Sequence, residues 1–227
     1  MAKGLMGGLF GVSEWIMKFS LGNLQWALFN LPVGLLLLSL LSLENSDLGF
    51  YLLFPLGLLT PFVFFPATAA LFAKAREWVK KEEEGNREQS YFSYYKENYF
   101  KSMTGGLVFV LLWSVLAADI YYFSTRNSFL MNAFLIMGIL LFVWTINFLC
   151  VLVHYDMKLL KVIKHSFVIT IGSPILFAAI VICSGIILMI SLYIFPLIIP
   201  LFTGSIIAFL TFSAFYRVHL KITTSEQ

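Results

Sequence analysis

Six apolar stretches constrain this chain more than any other feature of its sequence, because each is long enough to cross a lipid bilayer. A helix rises about 1.5 Å per residue, so about 20 residues cross the ~30 Å hydrocarbon layer. A chain that is 60% hydrophobic and only 12% charged also cannot cover a globular surface with polar groups. The sequence therefore predicts an all-α membrane protein, a single integral membrane domain (1–227) with six transmembrane helices. These spans are, by residue number, 21–43, 48–66, 103–123, 129–153, 169–192 and 197–216.

The basic residues lie on one side of these spans. Of the 15 Lys and Arg residues, 14 precede the first span, follow the sixth, or fall in the second and fourth connections between spans. Arg126 alone falls in one of the other connections. Short loops rich in Lys and Arg stay in the cytoplasm. We therefore expect a multi-pass protein of the cell membrane with both termini cytoplasmic.

The segment before the first span has the pattern of an amphipathic helix. Its apolar residues recur at steps of three and four, which places them on one helical face: Leu5, Leu9, Val12, Ile16 and Phe19. A helix lying in the cytoplasmic membrane interface is typical of such a pattern, and a frayed tail is the alternative.

The second span carries Pro55, Pro61 and Pro66, each of which lacks a backbone donor. Proline is tolerated in the first turn of a helix, so Pro66 predicts a break between this span and a new helix. The connection 67–102 is expected to be a helical cytoplasmic loop: a helix from Ala67 to about Glu84, then a second amphipathic helix over 89–101. The connection 154–167 also has a helical pattern.

No motif in the chain predicts catalysis or a cofactor. Neither an ATP-binding Gly-x-x-x-x-Gly-Lys-Ser/Thr loop nor a His-Glu-x-x-His zinc motif is present. The three histidines, His154, His165 and His219, fall at membrane edges without ligand spacing, and we interpret them as interfacial polar residues. Cys150 and Cys183 fall inside spans and are interpreted as free thiols. We expect no enzyme activity, no metal, no cofactor and no nucleic-acid partner.

Asp119 is the one carboxylate placed inside a span, and an intramembrane charge indicates function by default. Arg126 follows two helical turns later and is a candidate partner. The alternative is that Asp119 is solvated at the interface or locks helix packing through Asn132, Asn147 or a hydroxyl. Amide side chains in the spans are interpreted as contacts between helices: Asn23, Gln25, Asn30, Asn132 and Asn147.

The most specific local sequence is Phe-Pro-Ala-Thr-Ala-Ala-Leu-Phe at 65–72, followed by Arg76-x-Trp78. With Gly-Gly-Leu-Phe at 7–10 and Asp-Ile-Tyr-Tyr at 119–122, it resembles the YesL family of bacterial membrane proteins over nearly the whole chain. Members of that family are typically found in Gram-positive bacteria, beside genes for carbohydrate importers of the ATP-binding-cassette (ABC) type. The resemblance implies an accessory role in oligosaccharide uptake and supplies no established site residues. The low-specificity functional candidates are Pro66, Thr68, Arg76, Trp78, Asp119 and Arg126. His-Tyr-Asp at 154–156 departs from the more basic entry expected there.

Three classes of function remain. The first is a non-enzymatic accessory subunit that binds the permease subunits of a carbohydrate ABC importer through helix surfaces, and through them the ATPase and the solute-binding protein. The second is a small stand-alone transporter or channel, which the proline-rich span and Asp119 favour. The third, an intramembrane enzyme, lacks a nucleophile–base pair. Small residues where a partner helix could approach are Gly105-Gly106, Gly172-Ser173, Ser184-Gly185 and Gly204-Ser205. The alternative, which we favour for any one of these glycines, is that it packs within the six-helix body.

Overall fold

The structure, a computed structural model, describes residues 2–43, 46–84 and 89–225, and over these ranges it contains helices and no strands. The α-helices are α1 (Ala2–Phe29), α2 (Leu31–Leu41), α3 (Ser46–Leu59), α4 (Phe65–Glu84), α5 (Tyr91–Ser124), α6 (Ser128–His154), α7 (Leu159–Gly172), α8 (Pro174–Met189) and α9 (Gly204–Ser225). Three π-helical turns accompany them, at Thr60–Phe64, Ile190–Ile194 and Ile199–Thr203.

Five helical segments in the described part of the chain are long and apolar enough to cross a membrane, and a bent pair makes six if it is one span. The five are Tyr51–Lys80, Tyr91–Ser124, Ser128–His154, Pro174–Ile194 and Ile199–Lys221, and the pair is Phe10–Phe29 with Leu31–Leu41. The prediction of an all-α protein with several membrane-spanning helices is therefore confirmed.

The amphipathic segment and the first span are not separate helices. α1 runs without interruption from Ala2 to Phe29, and the chain then bends by 73° before α2. Pro32 explains the position of the bend: it lies in the first turn of α2, where its missing N–H is tolerated, whereas inside a continued helix its ring would clash with a carbonyl. Of the predicted apolar face, Val12 and Ile16 are exposed and Phe19 packs on Trp78. The side chains of Leu5 and Leu9 lie outside the described residues.

The break predicted at Pro66 is wrong. The chain stays helical from α3 through the π-helical turn Thr60–Phe64 into α4, and Phe65 N–H donates to the Thr60 carbonyl across that turn. A π-helical turn shifts the hydrogen-bond register by one residue, so a proline can follow it without the helix ending. The second span and the predicted loop helix are thus one continuous element.

The helix predicted over 89–101 and the third span are also a single helix, α5. Its 34 residues extend about 51 Å at ~1.5 Å per residue, more than the ~30 Å hydrocarbon layer. Ser90 caps its start by accepting a hydrogen bond from Ser93 N–H at 3.2 Å. In the connection predicted to be helical over 154–167, helix α7 begins at Leu159. Pro174 then starts α8.

The core of the bundle surrounds α4. This helix contacts α1, α5, α6 and α9. Small side chains allow this close approach, because helices in membranes associate through tight packing rather than burial from water. The fully buried alanines of α4 are Ala67, Ala69, Ala70, Ala73 and Ala75.

Candidate functional site

Four of the six residues singled out from the sequence lie on α4, and the structure buries most of them. Pro66 is buried, Thr68 is buried and Trp78 is only 5% exposed. The hydroxyl of Thr68 donates to the Phe64 carbonyl (2.7 Å) and accepts from the indole N–H of Trp26 in α1 (3.1 Å). The ring of Trp78 packs edge-on against Phe19 of the same helix α1. Thr68 and Trp78 therefore hold α1 against α4.

Arg76 joins α4 to α6. Its guanidinium donates to the carbonyl of Val153, one residue before the end of α6, and lies 5.9 Å from the ring centroid of Tyr94. Carbonyls in the last turn of a helix have no partner within the helix, and a cation there also interacts favourably with the helix dipole. Arg76 thus caps α6 while α4 passes beside it.

Glu77, next to Arg76, is a buried carboxylate that the sequence did not single out. It is 7% exposed, and its Oε2 atom accepts from Lys74 Nζ (3.1 Å) and from the Tyr94 hydroxyl (3.0 Å). Its Oε1 atom is buried without a hydrogen-bond partner among the described residues. Lys74 also donates to the Gln89 carbonyl at 2.7 Å. The network ties α4 to the start of α5, and its bonds to Tyr94 and to Gln89, unlike the Lys74–Glu77 pair within α4, could not be found by a spacing rule within one helix.

Asp119 and Arg126 lie apart from this network. Asp119 is half-buried on α5, and among the described residues no ion pair joins it to Arg126. The Arg126 guanidinium instead lies 4.0 Å from the ring centroid of Tyr122, in a cation–π contact. The pairing considered from their spacing is therefore not present in the structure.

The interpretation of amide side chains as contacts between helices is confirmed for Asn23 and Asn147. Asn23 is fully buried, donates to the Ile199 carbonyl (2.9 Å) and accepts from Ser205 N–H (2.9 Å), so it bonds both sides of a π-helical turn. Asn147 donates to the Thr170 hydroxyl at 2.9 Å. Asn30, which directly follows α1, donates to the Trp26 carbonyl of that helix. Gln25 and Asn132 are exposed, and no hydrogen bond to another helix involves them in the described part of the chain.

The three histidines, treated from the sequence as separate residues, come together at one end of the bundle. The imidazole rings of His154 and His219 have centroids 4.7 Å apart, and Tyr155 lies between His219 and His165. The Tyr155 hydroxyl is 2.7 Å from Nδ1 of His219, and burial raises the pKa of Tyr155. Local spacing rules missed this cluster because the three residues belong to three helical segments. Within the described ranges, no group of three or more His, Cys, Asp or Glu residues is arranged to hold a metal.

Asp156 lies in the non-helical segment between α6 and α7 and pairs with Lys101 of α5. Their carboxylate oxygen and ammonium nitrogen are 2.5 Å apart. The hydrogen bond and charge of Lys101 lower the pKa of Asp156. The Asp156 side chain is 98% exposed, so we expect solvent to weaken this ion pair. With the Arg76–Val153 bond, it shows that α4, the start of α5 and the end of α6 meet at this end of the bundle.

Comparison with known proteins gives a consistent set of relatives. A family model described as "Protein of unknown function, DUF624" matches residues 19–120. The uncharacterized protein YteU of Bacillus subtilis (strain 168) is 28% identical over 96% of this chain and 88% of its own. The uncharacterized protein YesL of the same strain is 26% identical over 74% of this chain and 68% of its own. The uncharacterized protein YesV of that strain is 29% identical over 68% of this chain and 76% of its own. No solved structure matches.

Proposed function

Because this chain is a YesL-like membrane protein, we propose that it is a non-enzymatic accessory subunit of a carbohydrate ABC importer. In this proposal it binds the permease subunits that import an oligosaccharide, and it contacts the ATPase and solute-binding protein only through them. It spans the cell membrane six times with both termini in the cytoplasm, the bent pair α1–α2 counting as the first span. The proposal rests on the family resemblance together with the internal structure of the bundle.

One structural observation carries the proposal: polar side chains inside the bundle bond to backbone or side-chain groups of other helical segments. Asn23 bonds the segment before α9, Asn147 bonds Thr170, and Ser191 bonds Thr203 at 2.7 Å. The amide nitrogens of Asn23 and Asn147 and the hydroxyls of Ser191 and Thr203 are engaged in these bonds, whereas Oδ1 of Asn147 and Oγ of Ser184 are buried without a hydrogen-bond partner among the described residues. The arrangement favours a solid body that acts through its outer surface over a transport pathway.

The structure narrows the surface where such a partner can approach. Three of the small residues named above face inward, since a methyl group on Gly105 would meet Phe148, one on Gly106 would meet Phe65, and one on Gly204 would meet Asn23. These three glycines therefore pack within the bundle, which was the favoured of the two interpretations of the small residues. Gly172 and Gly185 have open space where a side chain would stand.

On α8, Gly185 belongs to an exposed stripe at steps of three and four. Its members are Ile175, Ala178, Ile182, Gly185, Ile186 and Met189. Small residues within an apolar stripe let another helix approach closely. We therefore assign the permease contact to this α8 stripe.

A pull-down from native membranes in a mild detergent tests the assignment. Wild-type protein should retain the permease subunits and the ATPase, whereas Gly185→Leu should lose them because the larger side chain fills the approach site. Ala133→Leu is the matched control, since Ala133 is also small and exposed but lies on α6. Equal recovery of permease with both variants would reject the α8 stripe. Recovery of the wild-type protein without any permease would reject the accessory role.

A deletion strain tests the physiological role separately. Growth on one oligosaccharide should be impaired while growth on its constituent monosaccharides stays normal. Permease abundance is measured in parallel. Unimpaired oligosaccharide import with unchanged permease abundance would contradict the proposal.

Cysteine accessibility scanning in a background without Cys150 and Cys183 tests the orientation. A cysteine at position 126 should react with an impermeant reagent in intact cells. Cysteines at position 221 and at position 87, which lies outside the described residues, should react only after the cells are opened. Labelling of position 221 from outside would overturn the proposed topology.

A stand-alone transporter is the second candidate, and the two π-helical turns at Ile190–Ile194 and Ile199–Thr203 favour it. π-Helical turns are frequent at functional sites, and interrupted helices form many transporter binding sites. Solute uptake into liposomes containing only the purified protein would support this function. The accessory role predicts no uptake in that assay.

A further inference from the structure

Helix α7 lies between two membrane-spanning segments, α6 and α8, but is too short to span the membrane itself. Its 14 residues extend about 21 Å at ~1.5 Å per residue, less than the ~30 Å hydrocarbon layer. Trp144 of α6 donates to the Ser166 hydroxyl of α7 at 3.1 Å, and Asn147, one turn later, donates to Thr170, also one turn later, at 2.9 Å. An antiparallel return along α6 would pair later residues of α7 with earlier residues of α6. The helix α7 therefore crosses α6 as a separate connecting element.

One face of α7 is buried against the bundle and carries Val162, Ser166 and Thr170 at steps of four. The side turned away from the bundle changes in character along the helix. Exposed lysines occupy its beginning: Lys158 directly before the helix, then Lys161 and Lys164. The first turn also exposes Leu160. Exposed apolar side chains occupy the second half of the helix: Phe167 (38% exposed), Val168 (63%) and Ile171 (60%).

The three lysines add positive charge that the described ion pairs do not offset. Those ion pairs involve other lysines: Lys18, Lys74 and Lys101. The nearest carboxylate along the chain, Asp156, is the partner of Lys101. The exposed side of α7 therefore presents a net positive charge followed by an apolar surface.

We propose that this exposed side of α7 binds an anionic phospholipid. The lysines donate charge-assisted hydrogen bonds to phosphate oxygens of the headgroup, and the acyl chains lie against Phe167, Val168 and Ile171. Lys164 and Ile171 are seven residues apart, or about 10 Å along the helix, which matches the ~5–10 Å depth to which an interfacial helix enters the boundary between headgroups and acyl chains. An anionic lipid fits better than a zwitterionic one because three lysines act on one headgroup region. This site is on α7 and does not depend on the importer contact proposed for α8.

Lipid contact at one position of α7 tests the proposal. The full-length protein carries Val168→Cys, labelled with a fluorophore, in the background without Cys150 and Cys183, and is placed in phosphatidylcholine nanodiscs. A small fraction of spin-labelled phosphatidylglycerol or spin-labelled phosphatidylcholine then quenches the fluorophore, and the two quenching curves give the ratio of the two association constants. Phosphatidylglycerol should be preferred, with about a fivefold contribution to this ratio from each lysine at low salt. The preference should shrink in 1 M salt, where the Debye length is about 3 Å.

Variants separate this site from general surface charge. The double variant Lys161→Gln, Lys164→Gln should lower the preference by about 25-fold, whereas Lys161→Arg with Lys164→Arg should keep it because the charges remain. Lys96→Gln is the matched control, since Lys96 is also an exposed lysine but lies on α5.

Three outcomes would overturn the proposal. Equal quenching by the two lipids would show that the lysines do not select an anionic headgroup. A preference that the Lys96→Gln control lowers as much as the α7 double variant does would assign it to overall charge. Weak quenching by both lipids would show that something other than lipid covers Val168.

Discussion

Gly105→Ala should destabilise the protein by about 2–3 kcal/mol, the upper part of the range for overpacking a filled core. Gly105 lies on α5, and a methyl group built on it meets the ring of Phe148 on α6. Phe148 is fully buried, and the ring of Phe109 stands 4.9 Å away, centroid to centroid. Phe109 in turn packs against Trp144 at 5.2 Å. The Phe148 ring therefore cannot move aside cheaply.

Thermal unfolding in detergent micelles, followed by near-ultraviolet circular dichroism, measures the effect. For a chain of this size, 1 kcal/mol corresponds to about 2–4 °C, so the midpoint should fall by roughly 4–12 °C. Gly185→Ala is the matched control and should not lower the midpoint, because its position is open. Phe148→Leu should rescue part of the Gly105→Ala loss in a double-mutant cycle. A Gly105→Ala midpoint equal to wild type, or strictly additive single effects, would refute this account of α5–α6 packing.

Three further predictions use the same unfolding assay or a functional one. Asn23→Leu should lower the free energy of unfolding by about 1–3 kcal/mol, because it leaves the Ile199 carbonyl and the Ser205 N–H without their partner. A loss of stability smaller than that caused by an exposed substitution would contradict this prediction. Arg76→Lys should lower the unfolding midpoint and speed amide exchange at the end of α6, because a lysine cannot reproduce the guanidinium geometry at Val153; unchanged exchange there would argue against the cap. Asp119→Asn should be milder than Asp119→Leu in oligosaccharide uptake if Asp119 only forms hydrogen bonds, whereas equal loss in an assembled protein would show that its charge matters.

The presence of several membrane-spanning helices could be predicted because it depends on length and hydropathy alone. The positions where the helices bend could not be predicted from the sequence. Span two holds Pro55, Pro61 and Pro66, yet the chain remains helical through them. Pro32, to which the sequence analysis gave no weight, coincides with the 73° bend. Whether a helix ends at a proline or continues through a π-helical turn depends on which nearby groups satisfy the freed backbone carbonyls. Those groups are set by the tertiary structure.

Thr68, Arg76 and Trp78 connect helices in the structure, and their selection as functional candidates stays a prediction. The Lys74–Glu77 pair has a spacing of three residues within α4, whereas the bond of Glu77 to Tyr94 joins two helices and has no signal along the sequence. The histidine cluster had one usable signal: His154, His165 and His219 all fall in segments that the basic residues assign to the same side of the membrane. Spacing rules test only neighbours along the chain, so they gave no indication of the contact.

The polar residues of α1 explain how the bundle tolerates its irregular helices. Asn23 and Trp26 of α1 and Asn30, which directly follows this helix, are spaced at steps of three and four and so lie on one side of it. Asn23 bonds the π-helical turn before α9, Trp26 bonds Thr68 just after the π-helical turn before α4, and Asn30 bonds back into α1 at the 73° bend. In lipid, irregular backbone persists only where protein groups satisfy it.

This polar face of α1 also bears on the choice between the two proposed functions. A transporter would need the same π-helical turns to exchange their partners for water or solute during each cycle. The bonds of Asn23 and of the Ser191–Thr203 pair instead close these turns within the protein. Buried groups of the bundle stabilise the interrupted segments, so their irregularity does not by itself require a transport pathway. We therefore keep the exposed α8 stripe, rather than the interior, as the proposed surface of partner contact.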